Sequence, residues 1–110
     1  MTAFAPQGLA FDEDSRLLCP HCKGDYVHVD NAYVAGRPRE DSEVFPVHVD
    51  DSGQVRADHS VDLPIPEGQI GRRHVISLTG WCETCSARFA LEFKQHKGQT
   101  YFAVRRQSWA

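Results

Sequence analysis

The sequence predicts an all-β fold pinned by a metal, and three observations carry that expectation. All four cysteines fall in two short motifs, Cys19-Pro20-His21-Cys22 and Cys82-Glu83-Thr84-Cys85. Apolar and polar residues alternate with period two through the last third of the chain. No stretch carries helical periodicity. The expected architecture is a small antiparallel sheet, with an inserted hairpin and loop between the two Cys-x-x-Cys knuckles.

At 110 residues the chain is read as one domain, near the lower end of what can bury a sizeable core. Its 41% apolar and 25% charged residues are ordinary for a globular protein and exclude a disordered chain. Domains this small often need a staple, and a metal is a standard one. The stretch Met1 to Arg16 lacks a basic start and an apolar run, and it carries Asp12, Glu13 and Asp14; it does not read as a signal peptide. No run reaches the length needed to cross a bilayer. The expectation is a soluble cytoplasmic protein without a membrane partner. In that compartment thiols stay reduced, and paired Cys-x-x-Cys motifs mark a metal more often than a disulfide.

The net charge of −3 hides an asymmetry. Residues 1–71 hold 5 Lys/Arg against 13 Asp/Glu, and residues 72–110 hold 7 against 2. The domain as a whole should not adhere to nucleic acid indiscriminately, although one face of its C-terminal part could.

In chain order, residues 1–15 show no period and are expected to form an extended arm, with Phe4, Leu9 and Phe11 as packing candidates. Arg16-Leu17-Leu18 leads into the first knuckle as a short strand. Asp25-Tyr26-Val27-His28-Val29 leaves it as another. Residues 36–42, polar with Gly36 and Pro38, read as a surface loop that opens an insertion over about 36–71. Within it, Val44 to Val49 is strand-like, with Phe45, Val47 and Val49 on one face and Pro46 pointing to a sheet edge. Asp50-Asp51-Ser52-Gly53 is a turn, and Gln54 to Ala57 returns as the second arm of a hairpin. Residues 58–71, with Pro64, Pro66, Gly68 and Gly71, form a long irregular loop, which in so small a domain is either functional or flexible. Arg73 to Trp81 then alternates into the second knuckle. Ala87 to Lys94 alternates out of it, with Phe89, Leu91 and Phe93 opposite Arg88, Glu92 and Lys94. After a turn at 96–99, Thr100 to Arg105 comes back, completing three consecutive antiparallel strands.

Two residues between cysteines let one tight turn point both sulfurs at one spot, and two such turns complete the tetrahedral shell of a structural zinc. The ligands are therefore Cys19, Cys22, Cys82 and Cys85, holding one zinc. An iron centre would use the same four, and spacing alone does not separate the two; availability favours zinc. Cys-Pro-His-Cys is also a thiol-redox sequence, but that chemistry needs the first cysteine at a helix N-terminus. Here Lys23-Gly24 and a β-branched run follow, and Cys82 and Cys85 would be left unexplained. Fifty-nine residues separate Cys22 from Cys82, against about 15–20 in compact sites. The extra loop closure costs about 1 kcal/mol, whereas structural zinc contributes on the order of 10–16 kcal/mol in small peptides. The insertion is tolerable.

These residues resemble the zinc ribbon fold group: a Cys-Pro-x-Cys turn followed by Gly24, then Trp81 before a second Cys-x-x-Cys turn and Phe89 in the strand after it. The similarity covers residues 16–29 and 73–105. The segment Gln95-His96-Lys97-Gly98-Gln99-Thr100 also looks like small zinc-ribbon proteins of actinobacterial phages and mobile elements. The resemblance implies a binding module in transcription, replication or protein assembly rather than an enzyme.

The six histidines, His21, His28, His48, His59, His74 and His96, show no two-ligand spacing and are read as strand or loop residues. No Ser-His-Asp signature, phosphate loop or paired carboxylates appear, and no small-molecule substrate is indicated. The expected function is a non-enzymatic, zinc-stabilised module engaging a protein or protein–nucleic-acid assembly. The alternative is direct DNA or RNA binding through Arg72, Arg73, Arg88, Lys94, Lys97, Arg105 and Arg106, with Tyr101 as a stacking partner. A thiol redox protein is the third reading. Trp109 is expected to pack as a strand anchor.

Overall fold

A computed structural model describes residues 9–107; Phe4 and Trp109 lie outside them. The described chain is all-β, with strands β1 (Ala10–Phe11), β2 (Leu17–Leu18), β3 (Val27–Gly36), β4 (Phe45–Val49), β5 (Val55–Arg56), β6 (Val75–Cys82), β7 (Arg88–His96) and β8 (Gln99–Gln107). A single 3₁₀ turn, Glu67–Gln69, is the only helical element among these residues.

Residues 10–18 are a small hairpin rather than an arm. β1 pairs antiparallel with β2, and the Asp12 carboxylate accepts the Asp14 and Arg16 amides, each at 2.9 Å. Such a side-chain-to-backbone turn makes an Asp a local organiser.

The other six strands form one antiparallel sheet in the order β5-β4-β3-β6-β7-β8. The three C-terminal strands follow the sequence pattern. β7 and β8 are joined by Lys97-Gly98, both with positive φ (53° and 77°), as a two-residue type I′ hairpin loop requires. β3 continues seven residues past Val29, where the sequence pattern ends the strand, and reaches Gly36, because β4 and β6 pair with its two edges. The segment after Gly36 thus extends the sheet. Pro46 sits opposite Ala35, and β5 pairs only with His48 and Val49, so the edge beyond Pro46 demands no N–H.

A bulge interrupts β3: Val29 pairs with Gly80 and Asn31 with Thr79, leaving Asp30 as the extra residue. A Cβ on Gly80 would lie 2.0 Å from the His28 carbonyl oxygen. Only glycine permits this approach.

The registers assign two faces. One carries Ala35, Val75, Ser77, Thr79, Ala90, Glu92 and Ala103; the other carries Ile76, Leu78, Phe89, Leu91, Phe93, Phe102 and Val104. Residues 58–71 pack on the first. Val61 and Ile65 are buried, and Ile65 joins Ala35 and Val75 in a cluster flanked by Val44, Leu63 and Ile70. The loop is therefore the second layer of the domain. Pro64 and Pro66 suit it, since a segment lying on a sheet has no ladder to receive their missing amides. Gly71 lets it approach β7, where a Cβ would stand 2.6 Å from the Gln95 carbonyl oxygen.

β7 is buried on both faces in its middle: Phe89 and Leu91, on the expected apolar side, are 2% and 5% exposed, and Glu92, placed on the solvated side by alternation, is 2% exposed, while Phe93 at the far end is 38% exposed. Period two distinguishes the faces of a strand but does not say whether the rest of the chain will cover one or both.

Candidate metal centre

The two knuckles share one local geometry. In the first, the Lys23 amide donates to the Cys19 carbonyl (3.0 Å) and the Cys19 amide to the Gly24 carbonyl (2.8 Å). In the second, Ser86 donates to Cys82 (2.9 Å) and Cys82 to Ala87 (3.1 Å). The residue after each motif is left-handed, Lys23 at φ 66° and Ser86 at φ 64°. The left-handed residue of the first turn is thus Lys23, not Gly24. Gly24 serves close packing instead, since a Cβ there would meet Thr84 Oγ1 at 3.1 Å and Cys22 Sγ at 3.3 Å. The Glu83 amide donates to the Tyr26 carbonyl (3.0 Å) and ties the knuckles together.

The four cysteines are free thiols, and their sulfurs all lie within 4.8 Å of one another. Cys19 and Cys85 are 3.7 Å apart, and Cys22 and Cys82 are 3.6 Å apart. A tetrahedral ion with bonds of about 2.3 Å sets sulfurs about 3.8 Å apart. The site fits one metal ion. Amide donors surround it: His21 and Cys22 to Cys19 Sγ (3.3 and 3.4 Å), and Gly24 to Cys22 Sγ (3.3 Å). Such donors orient and stabilise thiolate ligands.

The thiols are unequal. The Gly24 amide favours the Cys22 thiolate, but burial and the neighbouring sulfurs of Cys85, Cys82 and Cys19 outweigh it and push this thiol up to about 12. Burial opposes ionisation of Cys82, yet the Cys85 and Thr84 amides, then the Cys22 and Cys19 side chains, bring it down to about 7. A divalent ion binding all four must displace the proton that Cys22 retains.

The histidines serve other ends. His21 is exposed, with Nδ1 3.5 Å from Arg106 Nη1. His28 meets the Glu83 carboxylate at 2.5 Å and stacks on Trp81. His48 stacks on Tyr33 and bonds the Asn31 side chain at 2.8 Å. His59 meets Phe45 edge-on. His74 and His96 accept the amides of Arg37 (2.9 Å) and Arg72 (3.3 Å).

The seven cations do not form one patch. Arg105 pairs with buried Glu92 and donates to the Pro64 carbonyl (3.0 Å). Arg72 faces Glu40 and Asp41 at 3.4 and 3.7 Å, and Arg73 donates to the Arg37 carbonyl. Lys94 lies 5.6 Å from the Tyr101 ring centroid, Lys97 is in the β7–β8 turn, and Arg106 is on the opposite face from Arg88.

Arg88 instead lines a polar groove of about 320 Å³ with Asp30, Asn31, Tyr33, Thr79 and Gly80. The alternation of β3 conceals this groove, because the bulge changes phase at Asp30. Gly80 within an otherwise regular strand was its one sequence signal.

No protein-family model, curated protein or solved structure matches the chain. No helix among the described residues is long and apolar enough to cross a membrane.

Proposed function

We propose that the chain is a non-enzymatic, zinc-stabilised binding module of the zinc-ribbon type, acting in the cytoplasm on a protein or protein–nucleic-acid assembly. The observation that supports this reading is the closed sulfur cluster. A tetrahedral ion held by Cys19, Cys22, Cys82 and Cys85 has no remaining position for water or substrate. Its role is then to fix β2 and β3 against β6 and β7, so that the sheet presents a rigid surface. Zinc, with no redox chemistry and no preferred d-electron geometry, suits four thiolates in this role. Cys19 is fully buried, which argues against thiol–disulfide exchange because the attacking sulfur needs access.

Affinity capture from the native host at moderate salt, with and without nuclease, tests the reading. Partners that survive nuclease support an adaptor. Failure to recover any partner in either arm counts against it.

A second reading, direct binding of single-stranded nucleic acid, is favoured by one observation. The uncovered part of the polar face carries two stacked pairs, His28–Trp81 and Tyr33–His48, beside the groove lined by Arg88. Aromatic faces next to a cation are the usual platform for unpaired bases. Binding should weaken as salt rises and on Arg88→Glu or Lys94→Glu; absent or salt-insensitive binding overturns this reading.

A further inference from the structure

We propose that the outer edge of β8 is a docking site for an extended, acidic segment of a partner protein, which adds to the sheet as a further strand. The inference deepens, and rests on, the reading of the chain as a protein-binding module.

The two edges of the sheet are built differently. On one side β5 ends it with two residues, and Pro46 removes an amide from the stretch of β4 beside it. Short edge strands and edge prolines are the usual devices against unwanted pairing. On the other side β8 ends it with nine residues, Gln99–Gln107, and carries no proline. Its register with β7 runs without a shift from His96↔Gln99 to Arg88↔Gln107, so no bulge interrupts it. An edge of this length without such a device is a template for another strand.

The register also says which groups the edge presents. The two-residue turn makes His96 and Gln99 the hydrogen-bonded closing pair, and bonded and non-bonded pairs then alternate along the hairpin. Gln99, Tyr101, Ala103, Arg105 and Gln107 therefore bond to β7. Gln95, opposite Thr100, turns its backbone the other way: its amide donates to the His74 carbonyl (3.0 Å) and its carbonyl accepts the Arg73 amide (3.2 Å). Thr100, Phe102, Val104 and Arg106 thus point their amides and carbonyls out of the sheet, and none of these backbone groups has a partner among the described residues.

The side chains beside this edge define what fits it. Phe102, Val104 and Arg106 stand on the face of Phe93, Leu91 and Phe89. At the knuckle end, Val104 and Arg106 join Pro20, His21, Ala87 and Phe89 in lining a cavity of about 200 Å³. Arg106 is exposed; its guanidinium is 3.5 Å from His21 Nδ1 and has no carboxylate partner among the described residues. A strand added to β8 sets side chains beside Val104 and Arg106 on this face, two residues apart in its own sequence. The ligand chemistry is then an apolar side chain at the Val104 position, for the cavity, and Asp or Glu at the Arg106 position. A second copy of β8 does not supply it, since residues 97–107 contain Lys97, Arg105 and Arg106 and no acid. Strand addition takes its affinity from main-chain hydrogen bonds and its specificity from pockets for alternate side chains.

The test uses the full, metal-loaded chain and, as probe, a displayed library of random peptides of about ten residues, long enough to cover β8. Selected peptides should alternate, with an apolar residue two positions from Asp or Glu. Their binding should slow hydrogen exchange at the amides of Thr100, Phe102, Val104 and Arg106 and leave those of Tyr101, Ala103 and Arg105 as they were. N-methylation of a peptide amide that faces β8 should weaken binding about tenfold or more, and of the next amide along by less than about threefold. That arm requires no variant of the chain to fold. Arg106→Glu should weaken the same peptides about tenfold. A library that yields no binder overturns the proposal, as do binders that leave the four amides unprotected or tolerate every N-methyl group; each of these outcomes leaves the module reading to its own capture experiment. Protection of the four amides that rises with chain concentration, without peptide, assigns the edge to a second copy and overturns the proposal too.

Discussion

Arg105 of β8 and Glu92 of β7 form an ion pair beneath the 58–71 loop, with Glu92 2% exposed. Arg105 Nε donates to the carboxylate at 3.0 Å, and the Ser77 hydroxyl donates to it at 3.3 Å. The same guanidinium donates to the Pro64 carbonyl. One cation thus satisfies a buried carboxylate and fastens the loop to the sheet.

Removing one partner leaves the other charge desolvated, so Arg105→Ala should destabilise the fold by about 3–5 kcal/mol. Replacing both, Glu92→Leu with Arg105→Met, should cost much less, since no buried charge remains. Denaturant unfolding of the parent and the two variants measures this. In Arg105→Ala, limited proteolysis should cut first within residues 58–71; equal stabilities would show that the pair does not hold the loop.

The metal centre should carry one zinc per chain by elemental analysis, and Cys19→Ser or Cys82→Ser should lose it. Chelation should then loosen β2 and the start of β3, because the knuckles join these segments to β6 and β7. Metal-free protein that melts like the loaded form would remove the clamp from the account of stability.

Zinc affinity should depend on pH more steeply below pH 7 than above it. Cys22, pushed up to about 12, holds its proton across the neutral range and must release it at every pH tested. Cys82, brought down to about 7, competes for a proton only below that value. The slope of log affinity against pH should fall by about one proton as pH rises through 7. Competition with a chelator of known proton dependence reads this directly.

Gly80→Ala should destabilise the protein by about 2–4 kcal/mol or more, since its Cβ would collide with the His28 carbonyl and the bulge cannot move without shifting the sheet register. Gly68→Ala, with open space around its Cβ position, should stay within about 0.5 kcal/mol of the parent. Thermal melts of both variants distinguish a required glycine from an incidental one.

The sequence by itself determined the metal ligands, the absence of helical periodicity and the C-terminal strands. Those features are local: a Cys-x-x-Cys turn positions its own sulfurs, and alternation over eight or nine residues suffices to mark a strand. Tertiary structure alone decided that the polar-looking face of the sheet is covered as well. Phe89, Leu91 and Phe93 alternate cleanly, and the first two are buried, yet the loop covers the opposite face, where Leu63, Ile65 and Ile70 meet Ala35 and Val75. The same choice turned Arg105 from a surface cation into the partner of Glu92, and it left Ile76 and Phe93 open. Periodicity records that a strand has two faces; only the packing of distant segments decides whether one or both become an inside.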